Sequence, residues 1–447
     1  MKLVNKNRGK NLGENSKSVL IIGAGIAGIQ AALDLGDMGI QVHLIEKQSC
    51  IGGRMAQLDK TFPTLDCSIC ILAPKLSECY RHSNITLHTL SEVQKVEGSV
   101  GNFKINLLNY ARYIKEDVCT NCGDCSSICP VRGISNFFDA NLVTQTAAQI
   151  AFPSAVPAAY RIDPSKCFYL NYGICGLCFQ NCGADSIDFT QKDSIQTIEN
   201  IGAIIIATGL DLDEDIHTLN LYGYQKYANV ITAMELERLI SASGPQEGHL
   251  SRLSDGRHPK KIAFLQCIGS RDYTEEGQPY CSSVCCMYTT KEAMIAFEHD
   301  NELESFVFYI DMRAGGKGFQ KFLRRGENEY NIKYFKSKIS HIDVDENDNP
   351  IITYEDYETS EIKKLKVDLV VLATCIIPSR GIYKLAEILG IELNSYDFIK
   401  TNPFLPVETS VEGIYSCGCA REPMDIPRSV AEASGAAARA AEVIKGG

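Results

Sequence analysis

Three things are scarce in this sequence. Apolar runs are short: the longest, near Ile201–Leu210 and Val367–Pro378, fall below the ~18 residues that a bilayer-spanning helix needs. Basic charge is not in excess. Lys and Arg number 44 against 55 Asp and Glu, a formal net charge of −11. Broad nucleic-acid or anionic-membrane binding needs a basic field, so both are unexpected. The polar opening MKLVNKNRGKNLGENSKS lacks the apolar core of a secretory leader, which predicts a cytoplasmic chain. The 8 His show no metal-ligand spacing, and there is no low-complexity tract or solenoid repeat. What is abundant is cysteine, 19 in 447 residues. In a reducing compartment clustered thiols more often hold metal than form disulfides. A secreted disulfide protein is the alternative. The length suits two or three domains of ordinary composition.

The first motif opens at Ser18. Val19–Ile22 is a β-branched run that reads as a buried parallel strand. Gly23-Ala24-Gly25-Ile26-Ala27-Gly28 follows, then a helical pattern over Ile29–Leu35 that Gly39 ends. Gln41–Ile45 is the next strand, and Glu46 closes it. Strand, glycine turn, helix, strand and acid form a dinucleotide-binding fingerprint. The glycines let backbone approach a pyrophosphate, the helix N-terminus supplies N–H donors, and the acid accepts from ribose hydroxyls. A second diglycine, Gly52-Gly53-Arg54, follows closely.

Ala203–Gly209 (AIIIATG) is another buried strand ending in a small-residue turn, and Val370–Thr374 (VVLAT) echoes it, with Cys375 where glycine is expected. Two such units resemble the flavoproteins with two dinucleotide-binding domains, such as thioredoxin reductase and the small subunit of glutamate synthase. The second unit departs from them. Its strand Lys260–Leu265 runs into Gln266-Cys267-Ile268-Gly269-Ser270-Arg271-Asp272, which has no G-x-G-x-x-G to cradle a nicotinamide dinucleotide. An independent NAD(P)H-dependent reductase is therefore a secondary reading. The acidic stretch Asp343–Asn349 reads as a solvated turn.

Residues 114–190 interrupt the flavoprotein pattern with cysteines. Cys119-x2-Cys122-x2-Cys125-x3-Cys129-Pro130 matches the bacterial ferredoxin run. Cys167-x7-Cys175-x2-Cys178-x3-Cys182 is its partner, with a longer first gap and Gly183 in place of proline. In two-cluster ferredoxins the fourth cysteine of each run ligates the other cluster. Cys119, Cys122, Cys125 and Cys182 are thus expected to hold one [4Fe–4S] cluster. Cys167, Cys175, Cys178 and Cys129 are expected to hold a second. Zinc is the alternative occupant of thiolate sites. A third group is Cys267, Cys281, Cys285 and Cys286. It reads as a third cluster site, a dithiol redox site or unpaired core thiols.

Three strings then carry a more specific resemblance. They are Cys267-Ile-Gly-Ser-Arg-Asp with Tyr280-Cys281-Ser-Ser-Val-Cys285-Cys286-Met287-Tyr288; Phe62-Pro-Thr-Leu-Asp-Cys67-Ser-Ile-Cys70-Ile-Leu-Ala-Pro-Lys75; and Gly418-Cys419-Ala-Arg-Glu-Pro-Met-Asp-Ile426-Pro-Arg-Ser429-Val-Ala-Glu-Ala433. Together they resemble the A subunit of heterodisulfide reductase, over about 18–440.

The resemblance implies an α/β, thioredoxin-reductase-like core that binds FAD. It also implies an inserted 2[4Fe–4S] ferredoxin domain and a third [4Fe–4S] cluster on the four core cysteines. Many such proteins carry further terminal cluster domains; their absence here suggests a short form. The implied layout is an FAD-binding domain in three parts (16–113, 191–240, 366–447), the ferredoxin insert (114–190) and a second dinucleotide-binding-like domain (241–365). Candidate flavin contacts are Gly23, Gly25, Ala27, Gly28, Glu46, Lys47, Gly52, Gly53, Arg54, Met55, Thr208, Gly209, Gly418, Cys419, Ile426 and Ser429. Lys291 is the candidate catalytic residue, a cation close to the flavin. The helix expected over Ile426–Ala440 would turn its N-terminus to the flavin.

The implied role is electron handling within a larger complex. The expected partners are disulfide-reducing and small iron–sulfur subunits, with a ferredoxin or hydrogenase-type donor, in a complex that contains this chain as a homodimer. Flavin-based electron bifurcation is one mode. A non-bifurcating conduit, as in quinone-interacting oxidoreductase complexes, is the other, and a scaffold with structural clusters is a third rival. Seven cysteines are left over: Cys50, Cys67, Cys70, Cys79, Cys375, Cys417 and Cys419. Each reads first as a small buried hydrophobe. For Cys67 and Cys70 a dithiol pair is the alternative.

Overall fold

The computed structural model describes residues 17–214, 216–357 and 359–446. The polar opening 1–16, and the absence of a leader read from it, lie outside these residues. The chain builds two α/β units and a small cysteine-rich insert. Among the described residues no helix is long and apolar enough to cross a membrane.

The first unit is organised around Ser18–Ile22. This strand pairs in parallel with Gln41–Ile45 on one side and with Ser194–Ile206 on the other. Ile85–His88 extends the sheet beyond Gln41–Ile45, and Ile414–Ser416 pairs in parallel with Ser194–Ile206. The hairpin Ser91–Ser99 and Asn102–Asn109 closes the other side, antiparallel to Ser194–Ile206. Val19, Leu20, Ile21 and Ile204–Ile206 are fully buried, as β-branched runs in a sheet covered on both faces must be. One covering layer is the helix Ile26–Asp37 against Ile426–Lys445. Ala31, Ala32, Ala433, Ala436, Ala437 and Ala440 share that core, and their small side chains let the two helices approach closely.

The second unit is a parallel sheet in the order Val230–Thr232, Leu369–Thr374, Lys261–Ile268, Glu304–Tyr309, Ile332–Lys336. An antiparallel sheet, Ile339–Val344, Pro350–Asp356 and Glu361–Lys366, lies beyond it. The strand pairing differs from the boundaries expected from the sequence. Val230–Thr232 falls within 191–240 and Leu369–Thr374 within 366–447, yet both hydrogen-bond into the second sheet. The reason is topological. A central parallel strand needs neighbours on both edges, and Lys261–Ile268 takes Leu369–Thr374 as one of them.

The cysteine-rich segment has little regular structure. Its helices, Asp124–Ser127, Phe168–Tyr172 and Leu177–Gln180, are about one turn each. An Ile114–Ile187 bridge closes its neck, reinforced by the Lys115 N–H donating to Ser186 O. Cys125, Cys129 and Cys167 are buried in its core with Ile114, Ala147, Ala148, Ile162 and Ile187.

Arg238 ties the three pieces together. Its side chain is 1% exposed. The guanidinium donates to Asp139 Oδ1 of the insert at 3.0 Å, to Gln57 O of the first unit at 3.0 Å and to Ser243 O at 3.2 Å, and it lies over the Phe138 ring. Removing one partner of a buried ion pair strands the other. Arg238→Met is expected to lower unfolding stability by about 3–5 kcal/mol, measured by urea denaturation; a loss below about 1 kcal/mol would show that the pair is peripheral.

Candidate flavin cavity and cysteine clusters

A cavity of about 720 Å³ opens between the two units and the insert. Its floor is the glycine turn. The backbone of Gly23 stands at φ +102°, a left-handed region that glycine tolerates, and an added Cβ would meet Ala207 O at 2.4 Å. A Cβ on Gly28 would sit 1.9 Å from Gly23 O. The helix Ile26–Asp37 starts at Gly25 with no capping side chain, so its first N–H groups stay free for an anion. Glu46 is fixed by two backbone donors: Ala24 N–H to Oε2 at 3.0 Å and Gln48 N–H to Oε1 at 2.8 Å. Burial pushes its carboxyl up, and these hydrogen bonds oppose the shift.

Most of the expected flavin contacts come together here. Gly23, Gly25, Ala27, Glu46, Lys47, Gly53, Arg54, Met55, Thr208, Gly209, Cys419, Ile426 and Ser429 line the cavity. Gly28, Gly52 and Gly418 do not; they sit behind the lining, Gly52 donating to Ala24 O at 2.8 Å. Thr208 Oγ1 is buried with no partner among the described residues, a polar atom left for a ligand. Arg54 is held by Asp211 at 2.9 Å and stacks over Phe137. Asp425 caps Ile426–Lys445 by accepting from Arg428 N–H, and Asp425, Ile426 and Pro427 face the cavity at that end.

The opposite wall is the helix Cys285–His299. Val284, Tyr288 and Lys291, spaced for one helical face, line the cavity, and so does Glu292. Lys291 is 1% exposed and forms an ion pair with Glu237. Burial lowers it to about 8, against the attraction of Glu292 and Asp59. Burial raises Glu292 to about 8, and Glu292 Oε2 has no partner among the described residues. Neither Glu237 nor Glu292 carries a sequence signal. Glu237 lies 54 positions from Lys291 and meets it only in the fold.

The cysteine groups also assemble. Cys129, Cys167, Cys175 and Cys178, the expected second cubane set, line one small apolar hollow with Phe168, Tyr169 and Phe189. Burial raises the Cys125 thiol, and the nearby Cys119, Cys178 and Cys122 add to the shift. Cys182 shares the same core. In the third group a hydrogen bond with the Cys285 thiol holds Cys267 and Cys286 below the ordinary thiol range, and Cys285 is raised in consequence. Cys281 accepts from Ser283 N–H at 3.3 Å, and Cys286 from Arg313 N–H at 3.4 Å.

Among the described residues no three such ligands are drawn together as around a single ion. A cubane asks for less, because each thiolate binds a different iron and the four stay apart. Cys129, Cys167, Cys175 and Cys178, which line one hollow, offer four thiolates of the kind that holds a cubane. Cys50, Cys79, Cys375, Cys417 and Cys419 are buried free thiols. Cys67 and Cys70 depart from the core-thiol expectation: they are joined as a disulfide, and Cys70 is exposed.

The family model "FAD dependent oxidoreductase" matches residues 18–64, and "Pyridine nucleotide-disulphide oxidoreductase" matches 313–437. The chain is 45% identical over 427 residues to the iron–sulfur A subunit of CoB–CoM heterodisulfide reductase from Methanocaldococcus jannaschii. It is 44% identical over 434 residues to the A subunit of the H(2):CoB-CoM heterodisulfide,ferredoxin reductase from Methanothermobacter thermautotrophicus. These alignments cover 95% and 96% of this chain. Over nearly its whole length the chain is similar to heterodisulfide reductase A subunits. It spans 64% of the length of each of those relatives.

Among solved structures it is similar to thioredoxin reductase from Lactococcus lactis (TM-score 0.52, 14% identity, 96% of this chain and 99% of that one). Thioredoxin reductase from T. acidophilum is similar too (TM-score 0.50, 14% identity, 96% and 98%). At that identity the likeness shows the fold alone, and it bears out the α/β, thioredoxin-reductase-like core expected from the sequence.

Gly28→Ala drives a methyl into Gly23 O, so purified protein is expected to lose its flavin, read as flavin absorbance per chain; wild-type flavin content would refute the cradle. Glu292 has its folded pKa raised to about 8. The folded state then holds a proton that the unfolded chain gives up between the ordinary carboxylate range and about 8. Its contribution to stability is full below that range and falls as pH rises through the window. Glu292→Gln is expected to flatten this fall in urea unfolding between about pH 5 and about pH 8, and an unchanged slope would exclude Glu292 as its source.

Proposed function

We propose that this chain is the FAD-dependent, iron–sulfur electron-transfer component of a heterodisulfide-reductase-type complex. Three [4Fe–4S] clusters would be held by Cys119, Cys122, Cys125 and Cys182; by Cys129, Cys167, Cys175 and Cys178; and by Cys267, Cys281, Cys285 and Cys286. The observation that carries this reading is that one cavity is walled by all three pieces. The glycine turn forms its floor, the helix that starts with Cys285 and Cys286 forms one wall, and Phe137, Phe138 and Arg161 of the insert form another.

FAD, when bound, supplies the conversion between paired and single electrons. The chain's own residues supply the rest. The free N–H groups of Ile26–Asp37 and the carboxylate of Glu46 hold the dinucleotide end. Lys291 keeps a buried cation at the cavity wall, fixed by Glu237. Roughly 9 Å of helix axis separates Cys285 from Lys291, at the ordinary rise per residue, so one rigid element carries a cluster ligand at one end and a cavity residue further along. The arginines and backbone donors around Cys267 and Cys286 favour thiolates.

Disulfide reduction itself is assigned to partner subunits, since the relatives' names place it in multi-subunit enzymes. Ferredoxin or a hydrogenase-type protein is the proposed donor, in a cytoplasmic complex containing a homodimer of this chain. Electron bifurcation is the proposed mode. The test is anaerobic purification with iron, sulfide and flavin analysis. About 12 iron and about one FAD per chain are expected from three cubane sites. Cys285→Ser with Cys286→Ser should remove about four iron and leave the flavin. Iron content unchanged by that double substitution would refute the third site.

A further inference from the structure

We propose that Cys67 and Cys70 are a redox-active dithiol–disulfide pair beside the cavity-lining residues 60–62, working by exchange with an external dithiol. None of the cluster or flavin assignments uses this pair, and the exchange proceeds between thiols whether or not those assignments hold.

The two sulfurs are bonded to each other and differ in access: Cys70 is exposed and Cys67 is half-buried. Cys67 is the N-cap of the 14-residue helix Ser68–Arg81, and its Sγ accepts the Cys70 N–H at 3.3 Å. A thiolate released there meets a backbone donor and the positive end of a helix, which makes Cys67 a good leaving group. The remaining unassigned thiols lack this setting. Cys50, Cys79, Cys375, Cys417 and Cys419 are all buried, and each is a free thiol.

The pair is also wired to the cavity. Cys67 bridges to Lys60, and Lys60, Thr61 and Phe62 line the cavity mouth. Ser68 N–H donates to Asp59 O at 2.9 Å, and Asp59 N–H donates to Glu237 Oε2 at 2.9 Å. Glu237 in turn pairs with Lys291. The pair thus sits one backbone contact from the loop that holds the partner of the buried lysine.

Exchange conserves thiols and electrons. A thiolate of the external dithiol attacks Cys70 Sγ; the Cys67–Cys70 bond breaks, a mixed disulfide forms at Cys70, and Cys67 leaves as thiolate. The second thiol of the same molecule attacks the first one's sulfur and releases Cys70. The external dithiol is oxidised to its disulfide, the protein disulfide is reduced, and the two protons pass from the reagent to Cys67 and Cys70. An external disulfide runs the sequence backwards.

The test uses the full chain, anaerobic and native, in buffers of reduced and oxidised dithiothreitol, followed by alkylation and peptide mass spectrometry. The tryptic peptide 61–75 contains Cys67 and Cys70 and no other cysteine. We expect its reduced fraction to follow the reduced-to-oxidised ratio reversibly, as a two-electron couple. With Cys67→Ser, oxidised glutathione should leave a stable adduct on Cys70. With Cys70→Ser, the adduct on Cys67 should form much more slowly. A disulfide that resists native dithiothreitol, a peptide that is reduced in every buffer, or equal adduct rates in the two variants would each overturn the proposal.

Discussion

The guanidinium of Arg238 is the contact on which the arrangement of the pieces depends. It satisfies an acceptor from the insert, one from the first unit and one just past its own helix, from a side chain that is itself buried. A buried arginine needs its fixed fork of donors matched, so it holds its neighbours in one relative position. The cavity lies where those pieces meet. Phe138 stacks under the guanidinium and also on Phe152, and both phenylalanines line the cavity. The cysteine-rich segment is thereby seated against the flavoprotein core by side chains that face the cavity itself.

The helix Cys285–His299 plays the complementary part. A nucleotide-binding sheet of this kind ordinarily turns from its first strand into a glycine-rich loop. Here Lys261–Ile268 ends in a register shift, with Cys267 at φ +62°, and the chain runs through Cys281 to the adjacent Cys285 and Cys286. The helix that follows is nearly all buried, so its position is fixed by the second core rather than by what occupies the cavity. Rigid placement of that kind would suit the electron path proposed above.

Legibility in the sequence tracks distance along the chain. The glycine turn, Glu46 and the two ferredoxin-type runs are readable because each depends on spacings within a few tens of residues, and their residues do converge in space. The ends of the units are not. Val230–Thr232 and Leu369–Thr374 are short β-branched strands that suit either sheet, and only pairing with Lys261–Ile268 decides between them. The Cys67–Cys70 bond is equally hidden. Its spacing fits both a packed pair and a disulfide, and exposure of Cys70 is a property of the fold.

Lys291 shows the same limit in electrostatic form. Its spacing after Cys286 is enough to single it out as a cation, but a lone buried ammonium is too costly to persist charged. Glu237 supplies the opposite charge, and Glu292, pushed up to about 8, is mostly protonated at neutral pH. The three groups together then carry one positive and one negative charge, close to neutral overall. If Glu292 were ionised as well, the group would be net negative at the cavity wall. Desolvation of Glu292 thus keeps the trio near neutral, and the electrostatic unit is the trio rather than the lysine alone.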